Sequence, residues 1–303
     1  MRFDGRVAIV TGAGGNPSLG RAYAMLLAAR GAKVVVNDLG VGPDGRGTCP
    51  AHAETVVKEI VDAGGEAIVD TNSVADQRGA EAVVQTALDQ WGKVDILVNN
   101  AGVAVLAEFD EISPSDIEKI LGVHLFGSIW MSRAVWPHMK AAGYGRIASA
   151  ASPSMLGQRY SSIYGAAKGG IWSLMRSLAV EGAAHGIKAN SFGPGAKTNM
   201  SALFATDDVV AHMPPAELVA PAVAYLCHED CETTGAYVES AAGMTKYRLF
   251  AENQGYFNPN VTLEDIRDNF TTILNVDEPS LVAEPLENPN SEIIKRKAPY
   301  IPA

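Results

Sequence analysis

Tyr164 and Lys168 stand four apart in the stretch SSIYGAAKGGIWSL. On a helix that spacing puts both side chains on one face, a turn apart. A phenol titrates near 10 and is a poor base at neutral pH, so a tyrosine takes protons there only where a neighbouring cation favours its anion. A lysine ammonium one turn away is such a cation, and the pair has the chemistry of a tuned general acid/base. The spacing alone recurs by chance. Its weight comes from its company: NNAG at residues 99–102, GRIASAAS at 145–152, GPGAKT at 193–198, and a glycine cluster near the amino terminus.

That cluster, TGAGGNPSLGRAY at residues 11–23, joins the apolar run VAIV to a stretch with helical spacing. In a strand, turn and helix of this kind, Gly12, Gly14 and Gly20 let the backbone approach a pyrophosphate, and the N–H groups and dipole of the helix entered at Ser18 and Leu19 receive its charge. A simple tight turn is the alternative. Asn16, Pro17 and Ser18 lengthen the lip of the turn, and Asn16 and Ser18 add side-chain hydrogen-bonding groups. The next strand ends at Asp38, 18 residues after Gly20, where a carboxylate accepts from ribose hydroxyls and repels a 2′-phosphate. No arginine follows directly, so the expected cofactor is NAD rather than NADP.

These residues need a frame. Short β-branched runs, VAIVTG, KVVVND, EAIVDT, DILVNNAG, GRIASAAS and IKANSFGPG, alternate with segments of helical spacing. Runs apolar on both faces belong to strands buried between two helix layers. The fold class is α/β, a doubly wound parallel sheet in three layers with ligands at the carboxyl ends of the strands. Residues 1–258 are expected to form the catalytic domain. Residues 259–303 are expected to be a carboxyl-terminal extension on the same domain: a helix over 263–274 capped by Thr262 with Asp265, then an extended strap beyond Glu278. Residues 39–50 read as a Gly/Pro-rich loop.

The chain has 303 residues, 47% apolar and 19% charged, with a net charge of −10. That balance argues against a nucleic-acid partner. Residues 1–10 carry no apolar signal segment, and no stretch has the roughly 18 uninterrupted apolar residues of a membrane span, so a cytoplasmic protein without a membrane partner is expected. Three cysteines fit a reducing compartment. Cys227, His228 and Cys231 could suggest a metal site, but with ligands on one helical face only, helix packing is expected and no metal. The terminal residues 300–303 are not a Ser-Lys-Leu peroxisomal address, and no hydratase portion is expected to follow.

Taken together, the motifs resemble those of the short-chain dehydrogenase/reductase family, with its Rossmann fold, from about Arg6 to Cys231. The resemblance implies that Tyr164 is the general acid/base, and that Lys168 lowers its pKa and holds the nicotinamide ribose. It also implies that a serine hydrogen-bonds the reacting oxygen. That serine falls on Ser152, 12 residues before Tyr164 and one fewer than the family spacing, so Ser149 and Ser154 stay open. By the same likeness Asn99, Asn100, Ala101 and Gly102 line the cofactor, and Pro194, Gly195 and Thr198 face its carboxamide. Asn72, followed by Ser73 and Val74, stands where an aspartate usually meets the adenine.

The stretches GRAYAMLLAARGAKVVVNDLG, VHLFGSIWMSRAVWPHMK and VAPAVAYLCHEDCETTGAYVESAAG are similar to the (3R)-hydroxyacyl-CoA dehydrogenase group within that family, which includes steroid-active members. That group shares His124 in place of the usual asparagine. The likeness implies a water chain from His124 that reprotonates Lys168, with a self-satisfied core histidine as the alternative. The lengthened phosphate loop resembles that of enoyl-thioester reductases, but those place tyrosine and lysine seven apart, and position 161 here is serine. Residues 199–216 fall where the family has its substrate lid, and their Met, Leu and Phe suggest an apolar acyl or steroid group. The expected activity is NAD-dependent interconversion of a secondary alcohol and a ketone, with a hydroxyacyl-CoA as substrate. A hydroxysteroid is the alternative substrate, and a non-catalytic NAD-binding regulator the alternative class. The likeness also implies a homodimer or homotetramer.

Overall fold

Along β1 (Val7–Thr11) the side chains alternate between two apolar layers: Ala8 and Val10 pack to one side, Val7 and Ile9 to the other. The next strand, β2 (Lys33–Asn37), repeats the pattern, with Val34 and Val36 against Val35. A strand apolar on both faces needs helices on both faces. In the computed structural model, which describes residues 1–41, 47, 49–201, 206–277 and 279–282, it has them. One layer is α1 (Leu19–Ala29), α2 (Ala51–Asp62) and α8 (Ala220–Leu226); the other is α3 (Gln77–Trp91), α5 (Gly127–Ala142) and α6 (Ser162–Gly182). Two shorter helices, α4 (Pro114–Leu121) and α7 (Asp207–His212), complete the first unit of the chain.

Between the layers lie β3 (Glu66–Asp70), β4 (Ile96–Asn99), β5 (Gly145–Ala150), β6 (Ile187–Gly195), β7 (Tyr237–Ala241) and β8 (Met244–Arg248), in the sheet order β3-β2-β1-β4-β5-β6-β7-β8. The strand pairings from β3 through β7 are all parallel. The strand order reverses between β1 and β4, where Val10 lies beside Val98, and the crevice above such a reversal is where doubly wound sheets bind ligands. β8 is an addition to the strands read from the sequence. It returns from β7 through Ala242 and Gly243, both with positive φ (52° and 77°), the conformation of a two-residue hairpin turn.

Two further features position the site. Between α4 and α5 the helix widens into a π turn over Gly122–Phe126, which carries His124. Between β5 and α6 a single 3₁₀ turn, Pro153–Leu156, is entered through Ser152.

The chain divides into two compact units, Met1–Tyr247 and Arg248–Ala303, ahead of the expected boundary at residue 259. The second unit takes in more chain because β9 (Phe250–Glu252) pairs antiparallel with β10 (Ser280–Val282). Within it, Thr262 and Asp265 form the expected capping box. The helix expected over 263–274 is in two pieces, α9 (Leu263–Asp268) and α10 (Phe270–Ile273), separated at Asn269 where φ is −107° and ψ 10°. The expected strap falls largely on residues 283–303, outside the described residues. Among the described residues, no helix is long and apolar enough to cross a membrane.

Candidate active site

At the carboxyl ends of the strands lies a cavity of about 610 Å³, reaching from the glycine turn to Tyr164 and Lys168. Its floor is stitched across the strand reversal. The Thr11 hydroxyl accepts from the N–H groups of Asn100 and Ala101 at 3.0 and 3.1 Å. The Asn100 amide donates to the carbonyls of Thr11 and Gly12 at 3.0 and 2.9 Å. Asn100, Ala101 and Gly102 all line the cavity, but the Asn100 side chain is occupied in holding the turn.

Glycine is required here by space. A Cβ on Gly12 would lie 2.6 Å from the Ala101 Cα, and Gly12 has φ +62°; a Cβ on Gly20 would lie 2.2 Å from the Gly12 carbonyl oxygen. Gly20 therefore serves by letting α1 close on the turn, and it is buried beneath the cavity wall rather than lining it. Gly14 lines the cavity; its N–H donates to Asp38 Oδ2 at 2.7 Å, while the Gly40 N–H donates to Oδ1 at 2.6 Å. The Asp38 carboxylate thus ties the phosphate loop to the end of β2 and faces the cavity.

In the lengthened lip, Ser18 caps α1 by accepting from the Arg21 N–H at 3.1 Å, and Ser18 and Leu19 both line the cavity. Asn16 does not: it is exposed, and the neighbours that face inward are Gly15 and Pro17, joined to Asn16 through a cis Asn16–Pro17 bond. The expected contact from Asn16 is corrected on that ground. The Pro17 carbonyl accepts from the Asn199 N–H at 3.2 Å, so the lip is braced by the segment that follows β6.

At the far end, Asn72, Ser73 and Val74 line the cavity. The Asn72 amide nitrogen donates to Asp70 Oδ2 at 2.8 Å, which commits its NH₂ and leaves its carbonyl oxygen to be offered. Asp70 is buried and also accepts from Asn37 at 2.7 Å and from Thr86 at 2.7 Å. Pro194, Gly195 and Thr198 line the cavity from the end of β6; the Thr198 N–H is held by Ser201 at 2.9 Å.

The reacting groups meet at the mouth of β5. Ser152 hydrogen-bonds Tyr164. Ser149 is buried in β5, where its hydroxyl accepts from Asn99 at 3.0 Å, so neither Ser149 nor Asn99 lines the cavity. Asn99, expected along the cofactor, thus lies beneath the cavity, and of the three serines it is Ser152 that hydrogen-bonds the tyrosine. The Pro153–Leu156 turn lies in the short segment between Ser152 and Tyr164. Ser154 is the next link: it accepts from the Ser152 hydroxyl at 3.1 Å and donates to Gln158 Oε1 at 2.5 Å.

Lys168 is buried; its Nζ lies 5.4 Å from the centre of the Tyr164 ring and donates to the Ala150 carbonyl at 2.5 Å. Burial lowers its pKa to about 7. Burial of the phenol raises the Tyr164 pKa, against the opposing pull of the Ser152 hydrogen bond. The expected lowering by Lys168 is not among the causes of that shift. In the free protein Tyr164 is a proton donor.

His124 packs edge-on to Tyr164 with ring centres 5.1 Å apart. Its Nε2 lies 2.7 Å from the Val103 carbonyl, and its buried Nδ1 has no protein partner. Burial and the Lys168 charge lower its pKa well below the ordinary value, with the Val103 hydrogen bond opposing, so the ring is neutral; Nε2 also lies 3.1 Å from the Val103 N–H, and the tautomer sets whether Nδ1 donates or accepts. Of the two readings of His124, the self-satisfied one holds for half the ring only. The ring also fills the space beside Gly102, where a Cβ would lie 2.5 Å from its Cε1.

Asn199, Met200 and Met213, from the segment expected as a lid, line the cavity; His52 and Gln158 line it too and were not singled out from the sequence. Leu203 and Phe204, on which the apolar lid reading partly rests, lie outside the described residues. Cys227 and Cys231 are in the core; burial pushes the Cys227 thiol up to about 12, and His228 is occupied by the Arg2 carbonyl at 3.0 Å.

The donor set fits a dinucleotide. A cradle without Cβ atoms at Gly12 and Gly14 opens onto the start of an 11-residue helix, with a carboxylate at one side and a lysine and phenol at the other end. A family model described as short chain dehydrogenase matches residues 6–208. Among curated proteins, peroxisomal multifunctional enzyme type 2 of Drosophila melanogaster is 43% identical over 279 residues, 90% of this chain and 46% of its own length. The mouse protein of the same name is 41% identical, over 94% of this chain and 39% of its own. This chain thus spans less than half the length of those relatives. Among solved structures, a short chain dehydrogenase from Mycobacterium avium superposes with a TM-score of 0.78 at 34% identity, covering 93% of this chain and 98% of the other. The full-length Drosophila enzyme gives a TM-score of 0.76 over 92% of this chain and 47% of the other.

Proposed function

The chain belongs to the short-chain dehydrogenase/reductase family, an oxidoreductase acting on CH–OH groups, and from that premise we propose that it is an NAD-dependent 3-hydroxyacyl-CoA dehydrogenase. The observation that carries the reading is the meeting of Tyr164, Ser152, Lys168 and His124 in one cavity that continues to the glycine turn. The choice of thioester is supported by the similarity to the peroxisomal enzymes across nine-tenths of the chain.

Gly12, Gly14, Ser18 and Leu19 would hold the diphosphate, Asp38 the ribose hydroxyls, Asn72 the adenine, and Lys168 the nicotinamide ribose. Asp38 supports NAD over NADP because a carboxylate at that place repels a 2′-phosphate. Bound NAD supplies the hydride acceptor and a positive charge close to the phenol. The chain's own residues handle the proton. Tyr164 exchanges it with the substrate oxygen, and Ser152 hydrogen-bonds that oxygen. The Lys168 ammonium favours the phenolate when it forms. Such acid/base work contributes about a hundred- to ten-thousand-fold.

The three free cysteines support a cytosolic setting. A homodimer or homotetramer through α5 and α6 is supported by the 45% exposure of Phe126, the last residue of the π turn that leads into α5.

NADH formation at 340 nm, on a panel of 3-hydroxyacyl-CoAs and hydroxysteroids, tests the reading. Turnover of the thioesters with NAD, abolished by Tyr164→Phe while NAD binding persists, is the expected result. Turnover of steroids alone would replace the substrate, and NAD binding without turnover of any alcohol would make the chain a binder.

A further inference from the structure

The chain of hydroxyls behind Ser152 has no part in the reading above. Ser152 donates to Ser154 at 3.1 Å, Ser154 donates to Gln158 Oε1 at 2.5 Å, and the Ser154 N–H donates back to Ser152 Oγ at 3.2 Å. With the one proton of Ser152 turned toward Ser154, its oxygen offers lone pairs to a protonated Tyr164; the Ser152 hydrogen bond that lowers the Tyr164 pKa needs that proton turned the other way, toward the phenol oxygen. The first arrangement suits a protonated Tyr164. It does not suit the reaction, in which the substrate oxygen gathers negative charge and needs a second donor beside the phenol.

A primary amide carries an acceptor and a donor at nearly equivalent places, exchanged by a half-turn of the group. Gln158 stands exposed at the cavity wall, whereas Ser154 is buried at 9% exposure. With Gln158 Nε2 toward Ser154, the Ser154 hydroxyl turns to donate to Ser152, and the Ser152 hydroxyl turns into the cavity. No proton changes its owner; two hydroxyls and one amide rotate.

We propose that Gln158 is a positioning residue: the half-turn of its amide sets the direction of the Ser154–Ser152 chain, and so whether Ser152 offers the substrate oxygen a proton or a lone pair. The inference rests on the reading of Ser152 and Tyr164 as the reacting pair. It distinguishes Gln158 from a residue that merely fills space or touches substrate, because acceptor-only and apolar replacements have unequal effects. A carboxylate at 158 holds the chain pointing outward. A methionine, of similar length, leaves the Ser154 hydroxyl free to point inward.

The test uses Gln158→Glu, Gln158→Met, Ser154→Ala and the double variant Ser154→Ala/Gln158→Glu. Gln158→Glu lowers kcat about a hundredfold, the loss that follows removal of one donor from a developing oxyanion, with NAD affinity unchanged. Gln158→Met and Ser154→Ala each cost only a few-fold. Adding Gln158→Glu to Ser154→Ala lowers kcat no further, because the link is cut. Equal losses in Gln158→Met and Gln158→Glu, or an undiminished Gln158→Glu loss on the Ser154→Ala background, would overturn the proposal.

A second readout needs no turnover. Tyr164 ionisation in the NAD-bound protein, followed by tyrosine ring NMR and assigned with Tyr164→Phe, moves to higher pH in Gln158→Glu and returns on the Ser154→Ala background. Lys168 and His124 face Tyr164, and the Arg159–Glu108 pair at 3.2 Å flanks Gln158; all are common to every variant. A Tyr164 midpoint that does not move in Gln158→Glu would refute the chain. A wild type that reduces no NAD on any alcohol would instead refute the proposed function, and the NMR midpoint would still decide the chain.

Discussion

Lys168→Met should leave the free protein more stable than the wild type near neutral pH, even as it removes activity. Lys168 is 3% exposed, and burial brings its pKa from 10.5 to about 7. At about 1.4 kcal/mol per pH unit, that displacement amounts to about 5 kcal/mol of protonation free energy. The folded pKa lies below the unfolded one, so between about pH 7 and 10.5 the unfolded state binds more protons and wild-type stability rises with pH. The penalty is fully present below about 7 and is gone above about 10.5. Methionine has no such proton. Urea unfolding of the cofactor-free proteins, followed by tryptophan fluorescence, should therefore show the variant's advantage shrinking by about 3 kcal/mol between about pH 6.5 and about pH 9.5. The lost hydrogen bond to the Ala150 carbonyl shifts both ends of the comparison alike, so the change with pH is the quantity that counts. Two stability curves that stay parallel over that range would refute a buried, depressed lysine.

Ser149→Ala and Ser152→Ala should separate: the first loses about 1 kcal/mol of stability, by removing the nearer acceptor of the Asn99 amide, and keeps its kcat, whereas the second loses kcat far beyond the about 1 kcal/mol that uncapping the Ser154 N–H costs, as urea unfolding and NADH formation will read. Asn72→Asp sets a second carboxylate against Asp70 at the place of a 2.8 Å hydrogen bond. The pair's folded-state pKa rises, so the variant matches the wild type at about pH 4 and loses stability as the pH climbs above the ordinary aspartate range; unfolding at acid and neutral pH checks it. Gly102→Ala brings a Cβ to 2.5 Å from the His124 ring and should lower stability by about 1–3 kcal/mol, with weaker NAD binding by calorimetry.

The frame of the site was legible because β-branched runs and a glycine turn ahead of a helix are local signals. Val34, Val35 and Val36 must be buried on both faces wherever the chain takes them. Spacing brought Tyr164 and Lys168 together, and the structure keeps them together, but spacing carries no information on desolvation, which sets both their pKa values. The lip shows the same limit. Asn16 has the more useful side chain, yet it is Gly15 and Pro17 that face the cavity, since the backbone path of a turn is not written in residue polarity. The β7–β8 hairpin was missed because its turn has alanine, at φ 52°, where glycine or asparagine would have marked it. Gln158 gave no signal at all: Ser154 reaches it only through the fold of the 3₁₀ turn between them.

The π turn at Gly122–Phe126 ties two matters that look separate. Each residue in an α-helix advances the face by about 100°, so one surplus residue in a wide turn re-aims everything downstream by that angle. Met131, Val135 and Met139 point into the core because of it, on the same irregularity that carries His124. Straightening the helix to remodel the histidine would swing the inner seam of α5 outward, whereas exchanging the ring alone leaves that seam undisturbed. The backbone beneath residue 124 is thus held by the packing of α5 as well as by the placement of the histidine.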